Sequence, residues 1–372
     1  MEIRTQNPIR TGIVGLSARG GWAPQSHLLA LARLDGYEVL ALAASSPGAA
    51  AAAGAAYGVP RAYGSAHELV RDPDVDLVVV SVRVPLHREV ILAALAAGKA
   101  VLSEWPLGNG LAEAEELAAA AAAAGVRTFA GLQARSAPAV RYVRDLVADG
   151  FAGEVLSTSL VASGRRWGAT FEPGGRYLLD RDNGGTMLTI PFGHTVDALA
   201  MVLGEFTEVS ATTATRRPVV REEGSGRTAA MTVHDQIAVS GRLTSGAVAS
   251  LHFRGGLARA TTFHWEINGT DGDLVVTGEH GHLQQARLTV RGARGAARGT
   301  RELPVPERYF AVAALDDVRD QVPYNVGAQY ADVLRDLRDG TSTVPDFGHA
   351  VRRQRLLDGI ERAAGAGSRV AL

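Results

Sequence analysis

The chain has 372 residues, 46% hydrophobic and 21% charged, a size and balance that fit a globular protein of two domains better than one. Thirty-eight basic residues against 39 acidic ones leave a net charge of −1, so nothing suggests a nucleic acid or a phospholipid surface as partner, since backbone neutralisation needs a clustered cationic face. There is no cysteine, which excludes disulfides, thiolate nucleophiles and cysteine-based zinc sites.

Met1 to Arg10 is polar and lacks an apolar h-region, and no run of 18 apolar residues stands outside the alanine-rich helical stretches; the expectation is a cytoplasmic protein with no membrane partner. The first third alternates apolar strands with alanine-rich helices, the rhythm of a parallel sheet. A first strand ends at Thr11 to Gly15, and a helix follows over Ser26 to Leu34. Tyr37 to Ala44 reads as a strand and Gly48 to Tyr57 as a helix, stopped by Gly58-Val59-Pro60. Val75 to Ser81 is nearly all apolar, as a strand buried on both faces requires. His87 to Ala97 is helical, Ala100 to Ser103 a strand, Leu111 to Ala124 a helix and Val126 to Leu132 a last short strand.

After Gln133 the rhythm changes. Residues 134 to 149 read as a helix, followed by strands at Val155 to Ser163, Thr207 to Thr215, Met231 to Ser240, Ala247 to Arg254, Thr261 to Ile267 and Asp273 to Thr277. One helix, Gly193 to Leu203, interrupts them. Arg291 to Arg308 is rich in Arg, Gly and Pro; with no interleaved aromatics it reads as a hairpin or loop rather than a nucleic-acid arm. Gln329 to Arg338 and Ala350 to Ala364 are helical. The expected division is 1–132 and 133–372.

Gly15-Leu16-Ser17-Ala18-Arg19-Gly20 lies between the first strand and its helix and fits the dinucleotide fingerprint G-x-G-x-x-G, except that Ser17 stands at the middle glycine. That glycine normally lets the backbone approach a pyrophosphate seated on the helix N-terminus; a serine can fit and adds a hydroxyl. A glycine-rich turn with no ligand is the other reading. The second strand ends Ala43-Ala44-Ser45-Ser46, with no carboxylate to repel a 2′-phosphate and two hydroxyls to bind one. NADP(H) is therefore favoured over NAD(H), with Arg19 either a helper or an ordinary surface arginine.

Val78-Val79-Val80-Ser81, Leu86-His87, Ala97-Gly98-Lys99, Ser103-Glu104-Trp105-Pro106-Leu107, Gly184-Gly185-Thr186 and Gly193-His194-Thr195-Val196-Asp197 together resemble the glucose–fructose oxidoreductase/inositol dehydrogenase (Gfo/Idh/MocA) family over nearly the whole chain. The resemblance implies an α/β Rossmann domain followed by an α+β domain with an open-faced, mostly antiparallel sheet that often makes homodimers or homotetramers. It implies that Gly15, Leu16, Ser17, Arg19, Gly20, Trp22, Ser45, Ser46, Ser81, His87, Glu104, Trp105, Pro106 and Gln133 bind the dinucleotide. It also implies that Glu104, His194 and Asp197 serve catalysis. Where the family has Glu-Lys-Pro, this chain has Glu104-Trp105-Pro106. Lys99, the only lysine, matches a different position, in the turn before the strand. Trp105 and the stretch Gly164-Arg165-Arg166-Trp167-Gly168 resemble a narrower branch that includes a fungal galactose-pathway repressor, a dinucleotide-binding regulator without enzyme activity.

Hydride transfer at a secondary alcohol needs the carbinol carbon held about 3–3.5 Å from the nicotinamide and one group to manage the hydroxyl proton. A histidine can do that without lysine. His194 and Asp197, three residues apart on a helix, share a face. Trp105, Arg166, Trp167, Asp180 and His194 are the candidate substrate residues, Arg165 and Arg176 could line the same side, and Gln133 and Arg135 are weaker members. Core packing for the tryptophans and solvation for the arginines are the bland alternatives. The other histidines show no metal-ligand spacing, so no metal is expected. Two functions follow: an NAD(P)-dependent oxidoreductase acting on a sugar- or polyol-like alcohol or ketone, or a catalytically silent dinucleotide-binding regulator that works through a protein partner.

Overall fold

A computed structural model describes residues 7–372; the first six, part of the polar start at Met1 to Arg10, lie outside the described residues. The chain forms two compact units, Met1–Gln133 with Val312–Arg352, and Ala134–Ala311 with Arg353–Leu372.

In the first unit β1 (Ile9–Val14), β2 (Tyr37–Ala43), β3 (Arg61–Tyr63), β4 (Leu77–Val80), β5 (Ala100–Glu104) and β6 (Thr128–Gly131) make one parallel sheet in the order β3-β2-β1-β4-β5-β6. This is the order of a Rossmann sheet, which binds ligands outside the carboxyl ends of its strands. All four residues of β4 have no exposed surface, as the run Leu-Val-Val-Val requires in a strand covered on both faces. The helix Pro47–Tyr57 starts where the Ser46 hydroxyl accepts the Ala49 N–H and Pro47 presets the first turn, and it stops at left-handed Gly58. The single helix expected over Ser26 to Leu34 is instead a wide π-turn, Pro24–Leu28, followed by one short α-turn. Ser26 Oγ donates to Trp22 O at 2.6 Å, a back-bond of the kind that bends helices, and the wide turn carries the fully buried His27.

Lys99 is buried and donates to Asp72 O at 2.7 Å and Val75 O at 2.8 Å, holding the turn before β4. It stands at the start of β5 and Glu104 at the end, about 16 Å apart at the strand rise. Lys99 is a structural clamp and not a displaced catalytic lysine.

The second unit contains β7 (Val155–Ser163), β8 (Thr170–Phe171), β9 (Phe206–Ala214), β10 (Val219–Glu222), β11 (Thr228–Ala230), β12 (Gln236–Leu243), β13 (Val248–Arg254), β14 (Phe263–Gly269), β15 (Gly272–Gly278), β16 (Leu288–Arg294), β17 (Arg301–Glu302) and β18 (Val370–Ala371). Nine of these form one sheet, β17-β16-β15-β14-β7-β13-β12-β9-β18, in which only β7 and β13 pair in parallel. Alternate residues point inward, among them Phe263, Trp265 and Ile267 of β14 and Ala249, Leu251 and Phe253 of β13. The helix Gly193–Leu203 is buried along almost its whole length. β8, β10 and β11 form a separate three-stranded sheet that the sequence reading did not anticipate. The Arg- and Gly-rich stretch from Arg291 is the end of the β16–β17 hairpin and the loop after it.

The division of the chain corrects the expected second domain at 133–372. Val312–Arg352 returns to the first unit, because the helix Val322–Asp339 buries Val326, Tyr330 and Val333 in the cluster that holds Ile9, Leu31 and Tyr37. Past that helix, Pro345 O accepts the Ala130 N–H at 2.7 Å, and Gln329 Nε2 donates to Ala130 O, so this segment satisfies the outer edge of β6. No described helix is long and apolar enough to cross a membrane.

Candidate functional site

The turn after β1 begins with Gly15 at φ +101°, where an added Cβ would lie 2.2 Å from Ser81 O, so no other residue fits. Gly20 (φ +89°) and Gly21 (φ +120°) also need positive φ, but nothing among the described residues lies within 4 Å of a Cβ built on either. The first glycine is fixed by close packing on the end of β4, and the other two face open space.

Ser17, at the middle-glycine position, shapes this loop. Its Oγ accepts the Arg19 N–H at 3.2 Å, its carbonyl accepts the Gly20 N–H at 3.1 Å, and Tyr57 OH donates to the same carbonyl at 2.9 Å. The serine hydroxyl hydrogen remains available to a ligand. Leu16 is fully buried and offers the loop side only its backbone. Arg19, Ser45 and Ser46 are exposed. Trp22 follows the loop, and its buried indole N–H has no acceptor among the described residues. An orphaned donor and two glycines facing open space suit an acceptor-rich ligand such as a dinucleotide phosphate.

At the end of β5, Glu104 Oε1 accepts from Gln133 Nε2 and lies 3.0 Å from His27 Nε2. His27 Nδ1 is 2.8 Å from the Tyr330 hydroxyl. A Cβ at Gly131, opposite Glu104 on β6, would come within 2.8 Å of Oε1, so this glycine gives the carboxylate its place. Trp105 is buried at 4% exposure and joined to Pro106 by a cis peptide. His87, expected at the dinucleotide, is buried with Nε2 3.1 Å from Val82 O and Nδ1 3.3 Å from Leu107 O. Burial pulls its pKa down against the pull of those carbonyls. With one ring nitrogen near each of these main-chain oxygens, His87 ties the β4 exit to the β5 exit, and as a neutral imidazole it donates to one of them. Ser81 acts through its main chain, its N–H bonded to Val14 O and its carbonyl against Gly15.

In the second unit His194 is buried on the helix Gly193–Leu203. Asp197, one turn on, is fully buried; its Oδ1 accepts from Arg353 Nε at 3.2 Å, and Arg135 Nη1 lies 3.4 Å from both oxygens. Arg353 is itself fully buried and grips Glu205 with both terminal nitrogens, at 3.0 and 2.9 Å. Burial pulls the Arg353 pKa down, and the Asp197 and Glu205 charges more than restore it. Two guanidiniums make Asp197 an ion-pair anchor for the helix.

Trp167 has φ +58°, which is uncommon outside glycine, and its indole N–H donates to Leu178 O at 2.9 Å. Its ring stacks on His282 at 6.2 Å between centroids and 9° between planes. Burial, with repulsion from His280, Arg166 and His194, drives the His282 pKa down to about 3, so this imidazole is neutral near pH 7. Arg165, Arg166 and Trp167 border a small cavity together with Leu178, Glu172 and Glu223. Asp180 is not among its lining residues; it caps the turn Arg181–Asn183 by accepting the Asp182 N–H. Sequence reasoning singled out His194, Asp197 and Trp167 but missed His282, Arg353, His27 and Tyr330, whose partners lie far away in the chain.

Residues 9–132 match the Gfo/Idh/MocA model, described as an oxidoreductase family with an NAD-binding Rossmann fold. Residues 138–278 match the model for the C-terminal domain of Gal80p. A dehydrogenase of Aspergillus oryzae, aclE, is 36% identical over 286 residues, 73% of this chain and 77% of that protein. The chain belongs to the Gfo/Idh/MocA oxidoreductase family. A 1,5-anhydro-D-fructose reductase of Ensifer adhaerens is 31% identical over 78% of this chain and 82% of its own length. The crystal structure of a super-repressor mutant of Gal80p from Saccharomyces cerevisiae superposes with a TM-score of 0.86 over 98% of each chain at 24% identity, which shows the shared fold. As a family member the chain carries an NAD-binding Rossmann domain joined to a second domain of the Gal80p type.

Proposed function

We propose that this oxidoreductase moves a hydride between a nicotinamide dinucleotide and a sugar- or polyol-like alcohol or ketone, with NADP(H) preferred to NAD(H). The buried His194, on a helix anchored by the Asp197–Arg353–Glu205 ion pairs, is the observation that carries the reading. A buried imidazole on a rigid element suits a general acid–base that must hold one geometry.

When bound, the dinucleotide supplies the hydride donor or acceptor. Gly15, Gly20 and Gly21 let the backbone turn and leave room beside it, and the Ser17 hydroxyl and Trp22 indole N–H offer donors to phosphate or ribose oxygens. Glu104 and Gln133 lie at the carboxyl end of β5 and just beyond β6, on the ligand side of a parallel sheet. His194 takes the substrate hydroxyl proton in oxidation and returns it in reduction. Asp197 keeps the His194 helix in register. Arg166 and Trp167 border the substrate cavity; Trp105 stands, buried, at the position where the family carries lysine. The NADP preference rests on exposed Ser45, Ser46 and Arg19 and on a β2 end without a carboxylate. Ser159, Ala238, Ser240, Val248 and Ser250 are exposed on one face of the nine-stranded sheet, and this face would join subunits in a homodimer or homotetramer.

Trp105 favours a second reading, a silent dinucleotide-binding regulator with a protein partner, as does the match to the Gal80p C-terminal domain. Incubating the pure protein with NAD(P)(H) and a panel of sugars, polyols and keto-sugars, while following nicotinamide absorbance, separates the two. Turnover lost in His194→Ala supports the enzyme; tight dinucleotide binding without turnover across the panel supports the regulator.

A further inference from the structure

We propose that His27 and Tyr330 are positioning residues that fix the Glu104 carboxylate, leaving its second oxygen for a hydroxyl or amide hydrogen of the bound dinucleotide. The inference rests on the reading of Glu104 as part of the dinucleotide site.

Three elements meet in this cluster. Tyr330 comes from the helix Val322–Asp339, His27 from the π-turn after the glycine loop, and Glu104 from the end of β5. The contacts run Tyr330 hydroxyl to His27 Nδ1 at 2.8 Å, then His27 Nε2 to Glu104 Oε1 at 3.0 Å. Tyr330 is 1% exposed and His27 fully buried, whereas the Glu104 side chain keeps 13% exposure. The network therefore runs from the core to a carboxylate that a ligand can reach.

Proton positions follow from the partners. Burial, then the nearby Tyr37 and Glu104, push the Tyr330 pKa well up, so the phenol keeps its hydrogen. A neutral imidazole has one N–H and one acceptor nitrogen. The tautomer that suits these partners has Tyr330 O–H donating to Nδ1 and the hydrogen on Nε2, the nitrogen nearer Glu104. The opposite tautomer would set a lone pair of Nε2 against the carboxylate. At 3.0 Å the Nε2–Oε1 pair is close but does not make a hydrogen bond in this structure, where the buried Nε2 has no hydrogen-bond partner among the described residues. Catalytic-site contacts of this kind commonly tighten when a ligand completes the site. Gln133 Nε2 donates to the same Oε1, and Gly131 lacks the Cβ that would displace it. Oε1 thus accepts from Gln133 and faces His27 Nε2, and among the described residues no donor is recorded on Oε2. A Tyr–His pair needed only for packing would satisfy itself without a carboxylate at a strand's ligand end.

Nitrogen-15 NMR of histidine-labelled full-length protein with NADPH tests this, with the His27 signals assigned by their loss in His27→Gln. The expected result is a His27 proton on Nε2, with Nδ1 accepting. A proton on Nδ1 overturns the proposal, and this reading of the wild type needs no variant to fold. In Tyr330→Phe the tautomer bias should fade and the NADPH Kd should rise roughly tenfold, as for loss of support to a charged hydrogen-bonding group. Tyr37→Phe is the control: Tyr37 OH donates to Tyr330 O at 2.7 Å in the same cluster, so its loss should lower Tm and leave both tautomer and Kd unchanged. An unchanged Kd and tautomer in Tyr330→Phe, or equal shifts in the two variants, overturns the positioning role. None of these readouts needs turnover. If Glu104→Gln leaves the Kd unchanged, the reading of Glu104 has failed; if it raises the Kd while Tyr330→Phe does not, only the relay has failed.

Discussion

Gly15 and Gly20 both require positive φ, yet replacing each by alanine should have opposite consequences. At Gly20 the new methyl meets nothing within 4 Å, so the penalty is backbone strain alone, about 1–3 kcal/mol. At Gly15 the same strain is joined by a Cβ 2.2 Å from Ser81 O. That oxygen belongs to a main chain tied to β1 by the Ser81 N–H to Val14 O bond, so it cannot step aside. Overpacking against fixed neighbours adds about 1–3 kcal/mol, bringing Gly15→Ala to roughly 2–6 kcal/mol, a large share of a typical 5–15 kcal/mol stability. Urea denaturation should show Gly20→Ala folded with a modest loss and Gly15→Ala severely weakened or unfolded. Dinucleotide titration should then show Gly20→Ala binding at least tenfold more weakly, because the methyl takes room on the ligand side of the loop. Wild-type affinity in Gly20→Ala, or equal destabilisation of the two variants, would refute this division of labour.

Lys99→Met removes the donors to Asp72 O and Val75 O; thermal unfolding should show a loss of about 1–3 kcal/mol, with turnover at room temperature unchanged. Arg353→Met leaves Asp197 and Glu205 without their shared cation and should destabilise the fold by about 3–5 kcal/mol in urea, against much less for a surface pair such as Arg362–Asp358. His282 falls from an ordinary 6.5 to about 3 in the folded protein, so the unfolded chain binds its proton first and stability is lost as pH drops through that window. Each pH unit between these limits removes up to about 1.4 kcal/mol through this one group. Denaturation of wild type and His282→Gln at several pH values should show the difference between them shrinking on acidification, while the carboxylates, common to both, cancel. Trp105→Lys should raise any weak dehydrogenase activity and keep dinucleotide binding, since a lysine buried there would have a lowered pKa suited to proton transfer; loss of binding would mean that Trp105 supports the dinucleotide itself.

Local features were legible in the sequence. The alternation of Val-rich strands and alanine-rich helices gave the parallel sheet, because a strand covered on both faces must be apolar throughout. The helices Leu111–Ala124 and Gly193–Leu203 begin and end where the sequence placed them. Short elements were lost: β8 has two residues and β11 three, too few for any period to register. The returning helix Val322–Asp339 was assigned to the wrong unit, since its partners Ile9 and Tyr37 are some 300 positions away and pattern alone does not say which core an apolar face enters. The same distance hid the site's supports. His27 meets Tyr330 across 303 positions and Asp197 meets Arg353 across 156, so neither pairing leaves a local signal. At His87, where a family position suggests a ligand contact, the fold adds contacts to Val82 O and Leu107 O that the sequence pattern does not signal.

The central claim is that the chain transfers hydride and does not merely hold the dinucleotide. The most direct measurement is deuterium transfer, in which a sugar panel labelled at the carbinol carbons is incubated with NADP+ and the protein, and the recovered dinucleotide is weighed by mass spectrometry. The account predicts one deuterium gained by the nicotinamide with at least one sugar, and none with His194→Ala. Saturating dinucleotide binding with no deuterium gained from any sugar would contradict it.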